Sequence, residues 1–295
     1  MSRQPRQMRR RLAYLSKILN TERMTEIVDI GSNPMNTPDY DQMVKAGIVR
    51  VTGFEPQPSA FEKLKEQETE IERHLPYAIG DGEASVLNVC RSPGMTSLLE
   101  PDPTSFAFLN RWARASRVIE KFPMSTHRLD DLDEIVHMDL LKIDIQGGEL
   151  TVFQHGRKKL KTALAVMTEV GFMPLYKDQP LLDDQMAELR EQGFMLHKFA
   201  FAKQVPLGSG FEIPLRPSAL SSQLVDGDAI FIKDLRDPEK WETEDLKHLA
   251  LLADGCFFSF DLAVRCLSIL MKRNVISRQN IIDYIDHLQV AEVVQ

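Results

Sequence analysis

Short apolar runs alternate with amphipathic segments along most of the chain. Segments with helical periodicity, such as Gln185–Gln192, lie between most of these runs. Strands that alternate with helices predict an α/β fold built on a mainly parallel, doubly wound sheet. The runs predicted as strands are Glu26–Gly31, Val49–Glu55, His74–Ile79, Ala84–Cys90, Leu140–Asp144, Ala165–Glu169, Phe194–Ala200 and Ala229–Lys233.

Two regions depart from this alternation. Arg91–Lys121 contains a Ser-Pro-Gly turn followed by aromatic residues, which predicts an insertion that is either a lid over a crevice or a tolerated surface loop. Beyond Asp237 the pattern is purely helical, with helices predicted over Asp245–Ala253, Phe257–Met271 and Ser277–Leu288. We therefore expect a basic N-terminal helix (1–24), a Rossmann-like domain (25–236) and a C-terminal helical appendage (237–295).

Composition indicates an ordinary soluble protein. Of the 295 residues, 43% are hydrophobic and 27% are charged, which is enough apolar surface for a full core. We predict no membrane span, because no stretch approaches the ~20 consecutive apolar residues required. The three cysteines lack metal-like spacing and the N-terminus lacks a secretory pattern, so we expect a cytoplasmic protein with reduced thiols.

Charge is distributed unevenly. The first 21 residues hold six basic side chains and no acidic one, whereas the whole chain carries −7, which leaves −13 for the remainder. Such a basic segment could contact RNA or an anionic membrane, or it could be the solvated face of a helix that buries Leu12, Leu15 and Leu19. Nucleic-acid binding is disfavoured because the rest of the protein repels polyanions.

Candidate chemistry lies where the predicted strands end. In a doubly wound sheet, ligands bind outside the carboxyl ends of the strands. Gly31 permits a tight turn there, and Glu55 is placed like an acid that accepts hydrogen bonds from a ribose diol. Asp81 could meet an adenine amine or could simply cap its Asp-Gly turn. Asp144 and Glu169 end two further strands.

The first loop argues against a pyrophosphate ligand. No second glycine follows Gly31 in a GxGxxG pattern, and no Walker lysine is present. A nucleoside that carries its own carboxylate in place of a pyrophosphate fits better, and S-adenosylmethionine is such a ligand.

At this point the chain resembles the FkbM-type methyltransferases, a branch of the Rossmann-like S-adenosylmethionine-dependent enzymes. The resemblance spans roughly Glu26 to Lys233. Its four motifs, in order along the chain, are Val28-Asp29-Ile30-Gly31-Ser32-Asn33, Gly53-Phe54-Glu55-Pro56-Gln57-Pro58, Thr126-His127-Arg128-Leu129-Asp130-Asp131-Leu132 and Leu141-Lys142-Ile143-Asp144-Ile145-Gln146-Gly147-Gly148-Glu149.

The resemblance implies O-methylation of a hydroxyl on a sugar, glycan or other small metabolite, with S-adenosylmethionine as cofactor. Asp144 and Glu149 would line the crevice near the methyl group. The chain departs from the family pattern at Met35, where a glycine is usual, and at Gln146, where an acid is usual. The residues expected to bind the cofactor are Asp29, Gly31, Ser32, Asn33, Glu55, Pro56, Asp81 and Asp144.

The hydroxyl of an alcohol acceptor keeps its proton at neutral pH, so transfer calls for a general base, which contributes about 10²–10⁴-fold in rate. The candidates are Asp144, Glu169 and His127, in that order. Asp144 could instead cap the helix that starts after Gly147-Gly148. No dedicated metal site is predicted, although Asp144 and Glu169 could share a divalent ion.

Two other functions remain open at this stage. The basic N-terminal segment would suit a protein or RNA methyltransferase, and the departures at Met35 and Gln146 would suit a binding or assembly protein that has lost transfer. In each case the C-terminal helices could form a homodimer or simply cover apolar surface.

Overall fold

The computed structural model describes residues 3–32, 34, 37–209, 211 and 213–288. The strands are β1 (Thr25–Ile30), β2 (Val49–Phe54), β3 (Glu72–Leu75), β4 (Ala78–Gly80), β5 (Ala84–Cys90), β6 (Val118–Arg128), β7 (Leu140–Ile143), β8 (Ala165–Gly171), β9 (Phe194–Val205) and β10 (Gln223–Lys233). The α-helices are α1 (Arg3–Leu19), α2 (Asp41–Lys45), α3 (Pro58–Lys65), α4 (Pro103–Leu109), α5 (Glu149–Gln154), α6 (Leu182–Glu191), α7 (Pro217–Leu220), α8 (Thr243–Gly255), α9 (Phe260–Lys272) and α10 (Arg278–Leu288).

Seven strands form the central sheet in the order β3-β2-β1-β7-β8-β10-β9. The first five are parallel, and β10 runs antiparallel to both of its neighbours. Strands β2 and β3 lie on one side of β1, and the later strands β7 and β8 lie on its other side. This change of side leaves a crevice at the carboxyl ends of β1 and β7. This is the predicted α/β doubly wound, Rossmann-like sheet, with one antiparallel strand near its edge.

Alternating side chains of the central strands pack into two different layers. In β8, Ala165 and Met167 join one apolar cluster, whereas Val166 and Val170 join the other. This is the two-residue period of a strand that is buried on both faces. Helices α1, α8, α9 and α10 cover the first face, and α5 and α6 cover the second.

The expectation of a single strand over His74–Ile79 was wrong. Pro76 and Tyr77 separate β3, which joins the central sheet, from β4, which joins a second sheet of three strands. A proline cannot donate a ladder hydrogen bond, so the strand breaks there. The consecutive strands β4 and β5 do not pair with each other across the turn that joins them, because β6 lies between them.

The basic N-terminal segment forms α1 and packs against the C-terminal helices. Leu12 and Leu15 are fully buried in the same cluster as the leucines of α8 and α9. Arg11 is also buried, and its Nε donates to Asp254 Oδ2 at 2.7 Å. Tyr284 Oη donates to the same oxygen at 2.6 Å, which joins α1, α8 and α10 through one carboxylate. At least one of the six basic side chains is therefore used inside the protein.

We expect Asp254→Ala to lower the free energy of unfolding by about 3–5 kcal/mol, because it leaves the buried Arg11 guanidinium without its counter-charge. Chemical denaturation monitored by circular dichroism measures this change. The matched control is Asp237→Ala, which removes an aspartate from an exposed pair with Lys240 and should cost less than about 1 kcal/mol. Equal effects of the two variants would contradict the assigned role of Asp254.

Candidate active site

A cavity of about 830 Å³ opens at the carboxyl ends of β1, β2, β7 and β8. The amino end of β10 reaches the same cavity through Asp228, because that strand runs in the opposite direction. Residues 93–98 of the insertion, except Met95, also line it. The insertion predicted as a lid or a loop therefore contributes one wall of the crevice.

Gly31 fixes how closely the two central loops approach each other. Its φ is +85°, and a Cβ at this position would collide with the backbone carbonyl of Asp144. The approach is reinforced by two hydrogen bonds: Gly31 N donates to Phe54 O at 3.0 Å, and Asp144 N donates to Ile30 O at 3.0 Å. Only glycine satisfies both the positive φ and the lack of space.

Asp29 lies at the floor of the cavity with both carboxylate oxygens engaged. Lys142 Nζ donates to Oδ1 at 3.0 Å, and Tyr40 Oη donates to Oδ2 at 2.6 Å. Burial lowers the pKa of Lys142, but the charges of Asp29 and Asp144 outweigh burial and hold that pKa above its usual value. Asp29, expected to bind the cofactor, is thus also the counter-charge that keeps a half-buried lysine ionised.

Glu55 stands at the end of β2, facing the cavity. Its Oε1 accepts a hydrogen bond from the backbone N–H of Gln57 at 2.7 Å, which fixes the side chain. Burial raises the pKa of Glu55 to about 7, and the charge of Asp29 adds to the rise. The carboxyl group therefore titrates near neutral pH.

Asp144 and Glu169, the first two candidate bases, are brought together by Gln146. The Nε2 group of Gln146 donates to Asp144 Oδ1 and to Glu169 Oε2, each at 2.8 Å. Burial and the charges of Asp144 and Glu149 raise the pKa of Glu169 well above its usual value. Two acidic groups thus share one amide at the ends of neighbouring strands.

Glu149 has a different role from the other acids. It is 1% exposed, and its carboxylate accepts hydrogen bonds from the backbone N–H groups of Ile145 at 2.9 Å and of Gly147 at 3.0 Å. These bonds close the loop that leads into α5. Glu149 therefore shapes the loop that carries Gln146, and it does not line the cavity as expected.

Two predicted site residues lie outside the cavity. His127 is exposed on β6, and its ring stands 4.6 Å from the ring of Tyr77, which itself lines the cavity. Asp81 is exposed in its turn, where Oδ1 accepts from Glu83 N at 3.0 Å. Neither side chain is positioned to act as a base or to meet a nucleoside in the crevice. The structure shows the turn interaction for Asp81.

Ser32 and Pro56 line the cavity as expected. Ser32 is buried, and its hydroxyl donates to the carbonyl of Asp29 at 3.1 Å. Asn33 and Met35 lie outside the described residues, so their expected roles stay predictions.

Several functional side chains were not found from the sequence. Lys142 had a signal, since a lysine inside an apolar strand requires a buried partner. Asp228 was missed because only the carboxyl ends of strands were considered, and β10 presents its amino end; burial raises the pKa of Asp228 to about 6. Tyr176 and Ser97 contact Gln146 from separate loops, and no local pattern marks them.

The lining of the cavity is acidic overall. Eight of its described residues are acidic and three are lysines. The acidic residues are Asp29, Asp39, Asp41, Glu55, Glu72, Asp144, Glu169 and Asp228. A crevice of this charge favours a cationic ligand over a phosphate.

Comparison with known proteins decides the family. The model described as the methyltransferase FkbM domain matches residues 29–196, which is more than half of the chain. The chain belongs to the FkbM methyltransferase family. It is therefore an S-adenosylmethionine-dependent methyltransferase, and the four motifs found in the sequence lie within or at the border of the matched segment.

Solved structures with a similar fold include methyltransferases of several kinds. Magnesium protoporphyrin IX methyltransferase from Synechocystis, with bound S-adenosylmethionine, has a TM-score of 0.38 at 8% identity, covering 78% of this chain and 80% of that one. A ribosomal protein L11 methylase from Lactobacillus delbrueckii has a TM-score of 0.37 at 10% identity, covering 75% of this chain and 78% of that one. A 16S rRNA (adenine(1408)-N(1))-methyltransferase mutant from Catenulisporales acidiphilia has a TM-score of 0.33 at 13% identity, covering 75% of this chain and 93% of that one.

No curated protein sequence matches this chain significantly. Among the described residues, no helix has both the length and the apolarity needed to cross a membrane.

The cavity fits S-adenosylmethionine in its chemistry. The sulfonium and ammonium charges of the cofactor suit the acidic lining. Glu55 lines the cavity at the strand end where acids accept hydrogen bonds from ribose in nucleoside-binding sheets, and its contact with the ribose stays a prediction. Gly31 and Ser32 supply the tight turn beside it.

We expect the affinity for S-adenosylmethionine to rise with pH through about 7, because only the ionised Glu55 accepts two hydrogen bonds from the ribose. Below its raised pKa a proton must be displaced first, so affinity should fall by up to about tenfold per pH unit. Calorimetric titrations between about pH 6 and pH 8 measure this. Glu55→Gln should bind more weakly and show no such slope, whereas Glu62→Gln on the exposed side of α3 should behave like the wild type. A wild-type affinity that is flat with pH would contradict the assignment.

Proposed function

We propose that this protein methylates a hydroxyl group on an uncharged small molecule or glycan. The observation that supports this most directly is the pair Asp144 and Glu169, held side by side by Gln146 at the edge of the cavity. A hydroxyl acceptor must lose its proton during transfer, and a carboxylate in hydrogen-bond reach can take it.

Glu169 is the stronger candidate base of the two. Burial and the charges of Asp144 and Glu149 raise its pKa, which makes the ionised carboxylate a stronger base than an ordinary one. Asp144 stands beside it and is more exposed, so its charge can orient the hydroxyl group. The bound cofactor supplies an electrophilic methyl group, and the chain supplies the proton acceptor and the alignment.

The charge of the crevice disfavours a nucleic-acid acceptor. A polyanion would have to enter a cavity that carries eight acidic side chains against three lysines. Arg11 of the basic N-terminal helix is buried against Asp254 and cannot reach a phosphate. These observations support a neutral acceptor, and they weigh against the alternative of an RNA methyltransferase.

The test is transfer of a labelled methyl group from S-adenosylmethionine to three acceptor pools: neutral glycans and polyhydroxylated metabolites, total RNA, and unfolded protein. We expect label in the first pool alone. Labelling confined to RNA or protein would overturn the proposal. Tight cofactor binding without transfer to any pool would favour a binding protein that has lost catalysis.

We expect Glu169→Gln to lower kcat by about 10²–10⁴-fold, because the acceptor then lacks a base in the rate-limiting step. Asp144→Asn should lower kcat less. Cofactor affinity, measured by calorimetry, should change by only a few-fold in both variants. Glu239→Gln, an exposed site far along the chain from the crevice, is the matched control and should keep full activity. Full activity of Glu169→Gln would rule out its role as base.

A further inference from the structure

Both polar atoms of the Gln146 side chain have hydrogen-bond partners. Both N–H groups of its amide are donated, one to Asp144 Oδ1 and one to Glu169 Oε2, each at 2.8 Å. Its Oε1 accepts a hydrogen bond from Tyr176 Oη at 3.0 Å. Because carboxylate oxygens only accept hydrogen bonds, the nitrogen of the amide must point toward them. Its Oε1 then faces the Tyr176 hydroxyl, which also lies 3.2 Å from the carbonyl oxygen of Met95.

The backbone of Gln146 is held in an unfavourable conformation. Its φ is +61°, in the left-handed region that residues other than glycine and asparagine seldom adopt. The hydroxyl of the buried Ser97 donates to its carbonyl at 2.7 Å. A strained residue persists where its surroundings over-determine it, and such residues cluster at functional sites. Gln146 is therefore fixed at both its backbone and its amide.

The charges around Gln146 require compensation. Carboxylate oxygens of Asp144, Glu149 and Glu169 all lie within 4.8 Å of one another. Glu149 is compensated by backbone N–H groups of Ile145 and Gly147. The nearby charge of Lys142 offsets part of the charge of Asp144. Between Asp144 and Glu169, further compensation can come from a cation, since oxygen ligands suit hard divalent ions, or from hydrogen-bond donors. The observed donor is the Gln146 amide, which lies directly between them.

We propose that Gln146 is a positioning residue whose amide takes the place of a divalent cation between Asp144 and Glu169. The amide holds the two carboxylates at a fixed separation without adding a ligand, whereas an acid at this position would add a third carboxylate. The pair thus works without a divalent ion in this protein. The catalytic role of Asp144 and Glu169 rests on the proposed function. The role of the Gln146 amide in place of a cation does not rest on it.

The first test is Mn²⁺ binding, measured by electron paramagnetic resonance and calorimetry without cofactor or acceptor. We expect the wild type to show no saturable binding below about 1 mM Mn²⁺. Gln146→Glu, which exchanges the amide for a carboxylate of the same shape, should bind one Mn²⁺ at least about tenfold more tightly than the wild type. Its Tm should rise with Mn²⁺. Gln204→Glu, on the exposed part of β9, adds the same charge elsewhere and should show neither effect.

Saturable binding of Mn²⁺ by the wild type that disappears in Asp144→Asn would overturn the proposal, because the pair would then hold a cation despite the amide. Failure of folded Gln146→Glu to bind would overturn it as well. If Gln146→Glu does not fold even with Mn²⁺, Tyr176→Phe decides the matter. That variant removes the hydroxyl that contacts Oε1 of Gln146 and the carbonyl of Met95, which frees the amide to turn. We therefore expect kcat to fall by roughly 10-fold with cofactor affinity unchanged and the acidic limb of the pH profile moved upward. An unchanged pH profile would contradict the positioning role.

The two proposals fail in different ways. If no acceptor is ever methylated, the cation measurements remain readable, since they use neither cofactor nor acceptor. If methylation occurs but is stimulated by Mn²⁺ in the wild type, the proposed function holds and the role assigned to Gln146 fails.

Discussion

Repulsion between carboxylates that converge on one end of the sheet is the constraint on which the site depends. The parallel strands bring Asp29, Asp144 and Glu169 to the same edge, and in a partly desolvated crevice their charges cannot all stand uncompensated. Three different groups compensate these charges and that of the neighbouring Glu149. Lys142 neutralises Asp29, backbone N–H groups serve Glu149, and one amide joins Asp144 to Glu169.

The charge that remains after this compensation decides which ligand the crevice can bind. Compensation is partial, so the cavity keeps a negative lining. Burial, to which the charges of neighbouring acids add, raises the pKa of Glu55 to about 7 and that of Asp228 to about 6. A cofactor that brings positive charge relieves this excess on binding, whereas a phosphate would add to it. The same argument extends to the acceptor, for which an uncharged hydroxyl compound is the easiest to admit.

The sequence alone was enough to predict the elements whose signal is local. The ends of β1, β2 and β7 and the three C-terminal helices follow from periodicity and turn residues, and Glu55 and Asp144 were placed in the crevice correctly. Features that depend on distant segments were not predicted. The antiparallel β10 brings Asp228 to the site from its amino end, and β6 separates β4 from β5, which no short pattern reveals.

Gln146 shows why a departure from a family pattern needs a structure before it can be understood. In the sequence, the exchange of an acid for an amide removes a candidate base and suggests decay of the site. In the fold, the exchange avoids adding a negative charge to a cluster that already holds three carboxylates. It also supplies two N–H donors between the carboxylates of Asp144 and Glu169. A carboxamide flipped by 180° would turn its oxygen toward the two carboxylates and lose both donations, so the whole arrangement depends on the orientation of one planar group. A substitution that lowers the charge to be compensated and also supplies the compensation is better explained as an alternative way to build the same pair than as the loss of one of its members.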